Sequence, residues 1–497
     1  MKYLKEWIKI DPDTDTAVYI QITNAFIHNI RNGRLRKGLK LPGSRTVADQ
    51  LNINRMTMVA VYNELNAQGW IDIIPRNGAF IKKELPELTP RHLTGKPEVL
   101  SIPRAPNYSL ETRGLVPYPS SDFPDPGKLT INDGFPDPRL APTEMLVRSM
   151  RRQSRQKPFR KYLMYGGPKG TALLRETLAN VLSDTRGIPT TPDNLLITRG
   201  AQMGIFISAS LLVKPGDDLI VGEPGYFGAN LTFAHCGAKI NRVPVDAYGM
   251  DIHAVEKLCQ KKKVKLVYVI PHHHHPTTVT LIPERRVRLL ELSARYKFAI
   301  IEDDYDYDFH YSSKPMMPMA SLDSHGNIIY IGTLTKTLAP AFRIGFMTGS
   351  KKFIDAAANL RRFIDYQGDS LLENAIAELF SDGTIGRHIK KAVKMYRERR
   401  DHFCKLLFNE LGDSVSFKIP DGGMSVWTNF RNTDLAKLSV HALRNGLVMS
   451  NGKEYNTHTE DYNSVRLGFA SLNFHEQERA VKILKDCIEA IGKRVRL

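Results

Sequence analysis

Residues 330–350 read YIGTLTKTLAPAFRIGFMTGS. An apolar run ends in two hydroxyls, Thr333 and Thr335. Lys336 follows, then a proline turn, then Arg343 and two glycines. That setting suits a reactive amine. A lysine forms a Schiff base only when deprotonated, and burial beside another cation lowers its pKa. Arg343 can supply that cation and grip a phosphate with two parallel hydrogen bonds. Thr333 and Thr335 offer hydroxyls to the same phosphate. A lysine near an arginine is more often plain surface charge, so the segment carries weight only together with its surroundings.

Upstream, short apolar runs rich in β-formers end in polar or turn residues: NLLIT (194–198), DDLIVG (217–222), VKLVYVI (264–270) and FAIIEDD (298–304). Between them lie helix-period stretches such as ALLRETLANVLSDTRG (172–187) and ERRVRLLELSARY (284–296). The alternation predicts an α/β region, a parallel sheet with crossover helices. In such sheets ligands bind outside the carboxyl ends of the strands. Three segments there bear chemistry. Gly200, Ala201 and Gln202 follow a strand and open a helix, where backbone N–H groups meet phosphate. In GEPGYFG (222–228) Tyr226 follows a Pro-Gly turn and can stack on a flat ring or simply pack. In AIIEDDYDYDF (299–309) the strand delivers acids at its end. An aspartate there can keep a pyridinium nitrogen protonated, a pairing that pyridoxal 5'-phosphate (PLP) requires. The alternative is a metal site built from Glu302, Asp303, Asp304, Asp306 and Asp308. No glycine stands where a calcium loop needs one, and no metal is expected.

The segment PHHHHPTTVT (271–280) also invites a metal reading. Adjacent residues of an extended chain point to opposite sides, so four histidines in a row cannot all ligate one ion. One or two of them are expected to line a site.

Residues 1–83 form a different region. TAVYIQITNAFIHNIRNGRL carries Val18, Ile22, Phe26, Ile27 and Ile30 at helical spacing, with Gly33 as a stop. Ser44 is a plausible N-cap of a second helix. After the turn LNIN, a third helix places Val59, Tyr62 and Leu65 toward the core and ends at Gly69. Two short strands around PRNG complete a winged helix-turn-helix. Its recognition helix opens with Asn54, Arg55 and Thr57, with Ser44 and Arg45 on the helix before it. Arg76 and Gly78 lie in the wing, and Arg34, Arg36, Lys37 and Lys40 suit phosphates. Any one of these arginines read alone is equally a solvated surface charge. Residues 84–127 are proline-rich, from Pro86 to Pro126, and read as an extended linker.

The bulk numbers agree. A length of 497 residues suggests two or three domains, and a formal charge of +18 favours a polyanionic partner, nucleic acid first. The four cysteines are far apart and form no disulfide framework, as in a reducing compartment. No signal peptide and no membrane span are legible, so a cytoplasmic protein is expected.

The head strongly resembles the GntR DNA-binding domain over about residues 16–82, through VYIQI, Leu41-Pro-Gly-Ser-Arg45, Asn54 to Met58, VYNEL and Gly78. The rest resembles fold type I PLP enzymes of the aspartate aminotransferase class. Head and remainder together resemble the MocR subfamily of GntR regulators. That resemblance implies an aminotransferase-like domain over 128–497, with a mixed, mostly parallel sheet and a small C-terminal α+β subdomain from about residue 370. It further implies that Lys336 carries PLP as an aldimine. Asp303 would pair the pyridine nitrogen, Tyr305 the ring hydroxyl, and Tyr226 would stack. Arg343, Thr333, Thr335 and Gly200–Gln202 would hold the phosphate. By the same resemblance Arg466 in VRLGFA takes a carboxylate, while Tyr165 in YGGPKG and His273 line the effector site. A homodimer is implied, reading a two-part DNA operator and sensing PLP or an amine or amino acid. The alternative is a working aminotransferase for an amino acid and a 2-oxo acid. This chain departs from the family at TLTK and PAFR around the lysine, and at His272, His274 and His275; contact with PLP at position 274 is thereby in question.

Overall fold

The computed structural model describes residues 7–11, 14, 16–86, 108–109, 127–157, 159–311, 316–457 and 460–495. Most of the linker, 87–107 and 110–126, lies outside the described residues. The chain divides into two compact units, Met1–Leu110 and Glu111–Leu497.

The first unit has three helices, α1 (Val18–Arg31), α2 (Ser44–Leu51) and α3 (Arg55–Ala67), and a hairpin of β1 (Ile71–Ile74) and β2 (Gly78–Ile81). Ile22, Phe26 and Ile30 fall on one face of α1 and are buried, whereas Val18 in its first turn is exposed. Two expectations shift by a residue. Ser44 is the first residue of α2 rather than its cap, because Val47 N–H bonds to Gly43 O at 3.1 Å and closes the first turn there. The buried stripe of α3 is Met58, Val61, Tyr62 and Leu65, which leaves Val59 half-buried. Asn54 caps α3 by accepting from Met56 N–H at 2.8 Å, as a short polar side chain at that position does. The Tyr62 hydroxyl donates to Pro42 O at 2.6 Å, and its ring meets Phe26 edge-on at 6.2 Å. These contacts tie the recognition helix to α1 and to the Leu41–Arg45 turn. In the hairpin Ile71 faces Ile81 and Ile74 faces Gly78. Gly78 has φ +111, and a Cβ there would come 3.2 Å from Lys40 Cε, so the wing needs glycine at this point.

The second unit is built on a sheet of β4 (Leu195–Thr198), β5 (Asp218–Glu223), β6 (Lys239–Asp246), β7 (Gly249–Met250), β8 (Val264–Val269), β9 (Ala299–Asp304), β10 (Ile328–Thr333) and β11 (Gly345–Thr348). The order is β4-β11-β10-β9-β8-β5-β6-β7. The central strands are parallel; β11 runs antiparallel to both neighbours, and β7 to β6. The buried run AIIEDD of β9 lies between β8 and β10, so its end opens at the middle of the sheet.

A second core lies beyond this sheet. It is formed by β12 (Val415–Phe417), β13 (Ser425–Phe430), β14 (Leu447–Met449) and β15 (Ser464–Gly468) with the helices 384–406, 435–444 and 474–495. Its boundary differs from the expected residue 370. The helix Ser370–Ser381 packs Ala375, Ile376 and Leu379 into the first core, and the second core starts at about Ala392. It also recruits a remote strand: Leu129–Ile131 pairs in parallel with β14. Periodicity reports which face of an element is apolar, not which of two cores receives it.

Phe26 is fully buried at the centre of the first unit. Phe26→Ala should destabilise that unit by about 3–5 kcal/mol. Hydrogen exchange on the full chain should then accelerate in 18–81 and stay unchanged in 195–348.

Candidate cofactor and DNA sites

β9 delivers Glu302, Asp303 and Asp304, all buried, at its carboxyl end. Asp303 Oδ2 accepts from the Tyr268 hydroxyl at 2.7 Å, and its Oδ1 is buried with no partner among the described residues. Burial pushes the Asp303 carboxyl up to about 7; the Tyr268 hydrogen bond opposes the shift and the Asp304 and Asp306 charges add to it. A dry, unpaired acceptor is unfavourable unless something donates to it. A protonated ring nitrogen is such a donor.

Lys336 follows β10. Its Nζ donates to Gly134 O at 2.7 Å and lies 4.4 Å from the Phe135 ring centre and 5.9 Å from that of Tyr305. The Tyr305 hydroxyl donates to His273 O at 3.1 Å. The Thr333 and Thr335 hydroxyls are 2.8 Å apart. Gly200, at φ +78, precedes the helix Ala201–Leu212, and a Cβ on it would lie 2.6 Å from Arg343 Nη2. The guanidinium therefore rests on the bare backbone at a helix N-terminus, a cradle suited to phosphate. Gln202 Oε1 accepts from the Tyr226 hydroxyl at 3.3 Å, and the Tyr226 ring meets His275 edge-on at 5.1 Å.

Backbone strain gathers here. Among the described residues eight non-glycines have positive φ, and three of them are His273, Thr278 and Arg343. For a β-branched residue such as Thr278 that conformation is rare, and it persists only where the surroundings impose it.

Three expected site residues stand differently. Tyr165 is 82 % exposed and packs on Tyr366 at 5.0 Å, away from Lys336. His273 turns to Asp306, with Nδ1–Oδ1 2.9 Å, and stacks on His310; its φ of +39 swings it off the extended path. The ring beside Tyr226 is that of His275. Arg466 is buried and paired with Asp133, Nε–Oδ1 2.7 Å. The four histidines diverge: His272 to Asp304, His273 to Asp306, His274 to Pro224 O and His275 to Asp133.

Residues 131–484 match the family model for class I and II aminotransferases, and residues 18–81 that for bacterial regulatory proteins of the gntR family. The chain belongs to the class I and II aminotransferase family and carries a GntR domain at its head. The probable rhizopine catabolism regulatory protein MocR of Rhizobium meliloti is 27 % identical, over 97 % of this chain and 96 % of its own. The HTH-type transcriptional regulator YisV of Bacillus subtilis is 28 % identical, over 94 % of this chain and 95 % of its own. The kynurenine aminotransferase of Pyrococcus horikoshii, solved in complex with PMP, superposes with a TM-score of 0.68 at 30 % identity, covering 74 % of this chain and 92 % of that one.

In this chain the head exposes Arg45, Asn54, Arg55 and Arg76, and half-exposes Ser44 and Thr57. Two residues of the cofactor site escaped the sequence. Tyr268 is a lone hydroxyl in an apolar strand, a weak signal. Asp133 precedes a glycine in a short loop far from the lysine segment and gives none.

The Asp303 shift has a sign that can be tested. Its folded pKa lies above the ordinary 3.8, so the folded state binds the proton more tightly. That contribution is present below the ordinary value and is lost as pH rises through about 7. In cofactor-free protein, Asp303→Asn should therefore gain melting temperature relative to wild type between about pH 4 and 7, read by scanning calorimetry. A constant difference across that range would refute the assignment.

Proposed function

We propose that this chain is a PLP-dependent transcription regulator that reads an operator with its GntR head and senses PLP, or an amine or amino acid that reacts with PLP, at Lys336. The observation that carries the reading is the head: a unit with its own buried core presents Asn54 and Arg55 to solvent at the opening of its recognition helix, and Arg45 on the helix before it. Polar residues there meet base edges and phosphates.

In the second unit the residues fit PLP. Bound PLP supplies an aldehyde carbon that condenses with primary amines and a ring that draws electrons. Lys336 provides the amine. Asp303 Oδ1 would accept a hydrogen bond from the ring nitrogen, Tyr305 would meet the ring hydroxyl and Tyr226 would stack on the ring. Arg343, Thr333, Thr335 and the Gly200–Gln202 backbone would hold the phosphate. Tyr165, exposed together with its neighbours Leu163 and Met164, suits contact with a second copy, and a homodimer would read two half-sites. The aminotransferase alternative is favoured by the retention of lysine and aspartate together; it predicts turnover of an amino acid with a 2-oxo acid.

Fluorescence anisotropy with the duplex flanking the chain's own gene, at fixed salt, tests the reading. Selective binding over a scrambled duplex, altered by PLP, is expected. Lys336→Ala should lose both the visible PLP absorbance band and the PLP response. Arg55→Ala should weaken selective binding by about 1–3 kcal/mol if it reads a base. No selectivity, with transaminase turnover, would replace the regulator by the enzyme.

A further inference from the structure

Arg466 is a buried cation close to Lys336, and its charge is already matched. Nε lies 2.7 Å from Asp133 Oδ1. That oxygen also accepts from the Tyr455 hydroxyl at 2.9 Å, and Oδ2 lies 2.8 Å from His275 Nε2. Burial by itself would raise the Asp133 pKa, but the His275 and Arg466 charges and the His275 hydrogen bond hold it well below the usual carboxylate range. Burial lowers the His275 pKa against the pull of Asp133. Asp133 thus supplies the buried carboxylate that faces the Arg466 cation. The pair sits one residue from the lysine's partner: Gly134 O accepts from Lys336 Nζ, and a Cβ on Gly134 would lie 3.3 Å from Arg466 Nη2.

A ligand carboxylate directed at Arg466 would meet the Asp133 carboxylate first. Even at the Nη edge, with Nε held by Asp133, it would set two acids against one guanidinium, and a second buried carboxylate without its own cation is unfavourable. A ligand without an acid at that point leaves the pair, the Tyr455 bond and the His275 bond intact. We propose that the effector taken at this site is a primary amine that presents no carboxylate to Arg466, Asp133 serving as the built-in carboxylate. The proposal rests on the PLP reading above.

The test is spectral titration of the full-length, PLP-loaded protein with matched pairs: ethylamine against L-alanine, and propylamine against 3-aminopropanoate. Each is referred to the same reaction with free PLP. In wild type each amine should shift the PLP band at a concentration at least about tenfold below its carboxylated partner, the scale of one charge-assisted hydrogen bond. Asp133→Asn frees the guanidinium and should close or reverse the gap. Carboxylated partners that titrate wild type as tightly as the amines would overturn the proposal and leave the PLP reading intact. A chain that forms no PLP band at all would overturn both. Should Asp133→Asn fail to fold, the wild-type comparison alone decides.

Discussion

The large unit is organised around carboxylates crowded at the end of one apolar strand. β9 must be apolar to sit in mid-sheet, yet Glu302, Asp303 and Asp304 emerge from it buried, with Asp306 just beyond. Buried charges must be paired or neutralised, and each finds a different answer. Glu302 accepts from the backbone N–H groups of Met319 and Ala320, both at 2.7 Å, and burial still pushes it up to about 8. Burial works to raise Asp304 too, but His272, Arg186 and Tyr330 bring it down to about 2. Asp306 takes His273. Asp303 Oδ1 and Asp306 Oδ2 each stay without a partner among the described residues. Glu302 and Asp304 are satisfied by the protein, whereas these two acids each leave one oxygen for a further donor.

The same constraint explains the histidine run. Four adjacent imidazoles are buried within 9 % exposure, where a bare imidazole is poorly tolerated. Two of them answer acids delivered by β9 and the turn after it, and a third answers Asp133. The run is therefore a set of separate partners for separate groups. Alternation along an extended chain was enough to exclude a single four-histidine ion site. It could not assign each ring, because His273 leaves the extended region altogether.

What was legible in the sequence followed from local rules. Apolar runs of four to eight residues marked the strands, and Gly78, Gly200 and Lys336 stood in segments whose chemistry depends on near neighbours. Lys336, Asp303 and the Gly200 turn stand at strand ends, and strand ends are readable. The remainder depended on distance along the chain. Asp133 meets Arg466 across 333 positions, and Leu129–Ile131 joins a core whose other strands begin at Val415. Spacing and periodicity have no access to such pairings. Tyr165 was legible as a motif but not as a position, since a motif does not say which side chains it will meet.

The segment that escaped the sequence also joins the two cores of the large unit. After the strand Leu129–Ile131, Asn132 O accepts from Gly468 N–H at 2.8 Å at the end of β15, and Asn132 Oδ1 accepts from Gly134 N–H at 3.0 Å. Asp133 then holds Arg466 of β15, and Gly134 O holds Lys336 from the sheet side. Three consecutive residues thus carry hydrogen bonds from the lysine to the second core. Any reaction at the Lys336 amine therefore acts on a nitrogen already bonded to Gly134 O, in a loop whose other bonds belong to the second core.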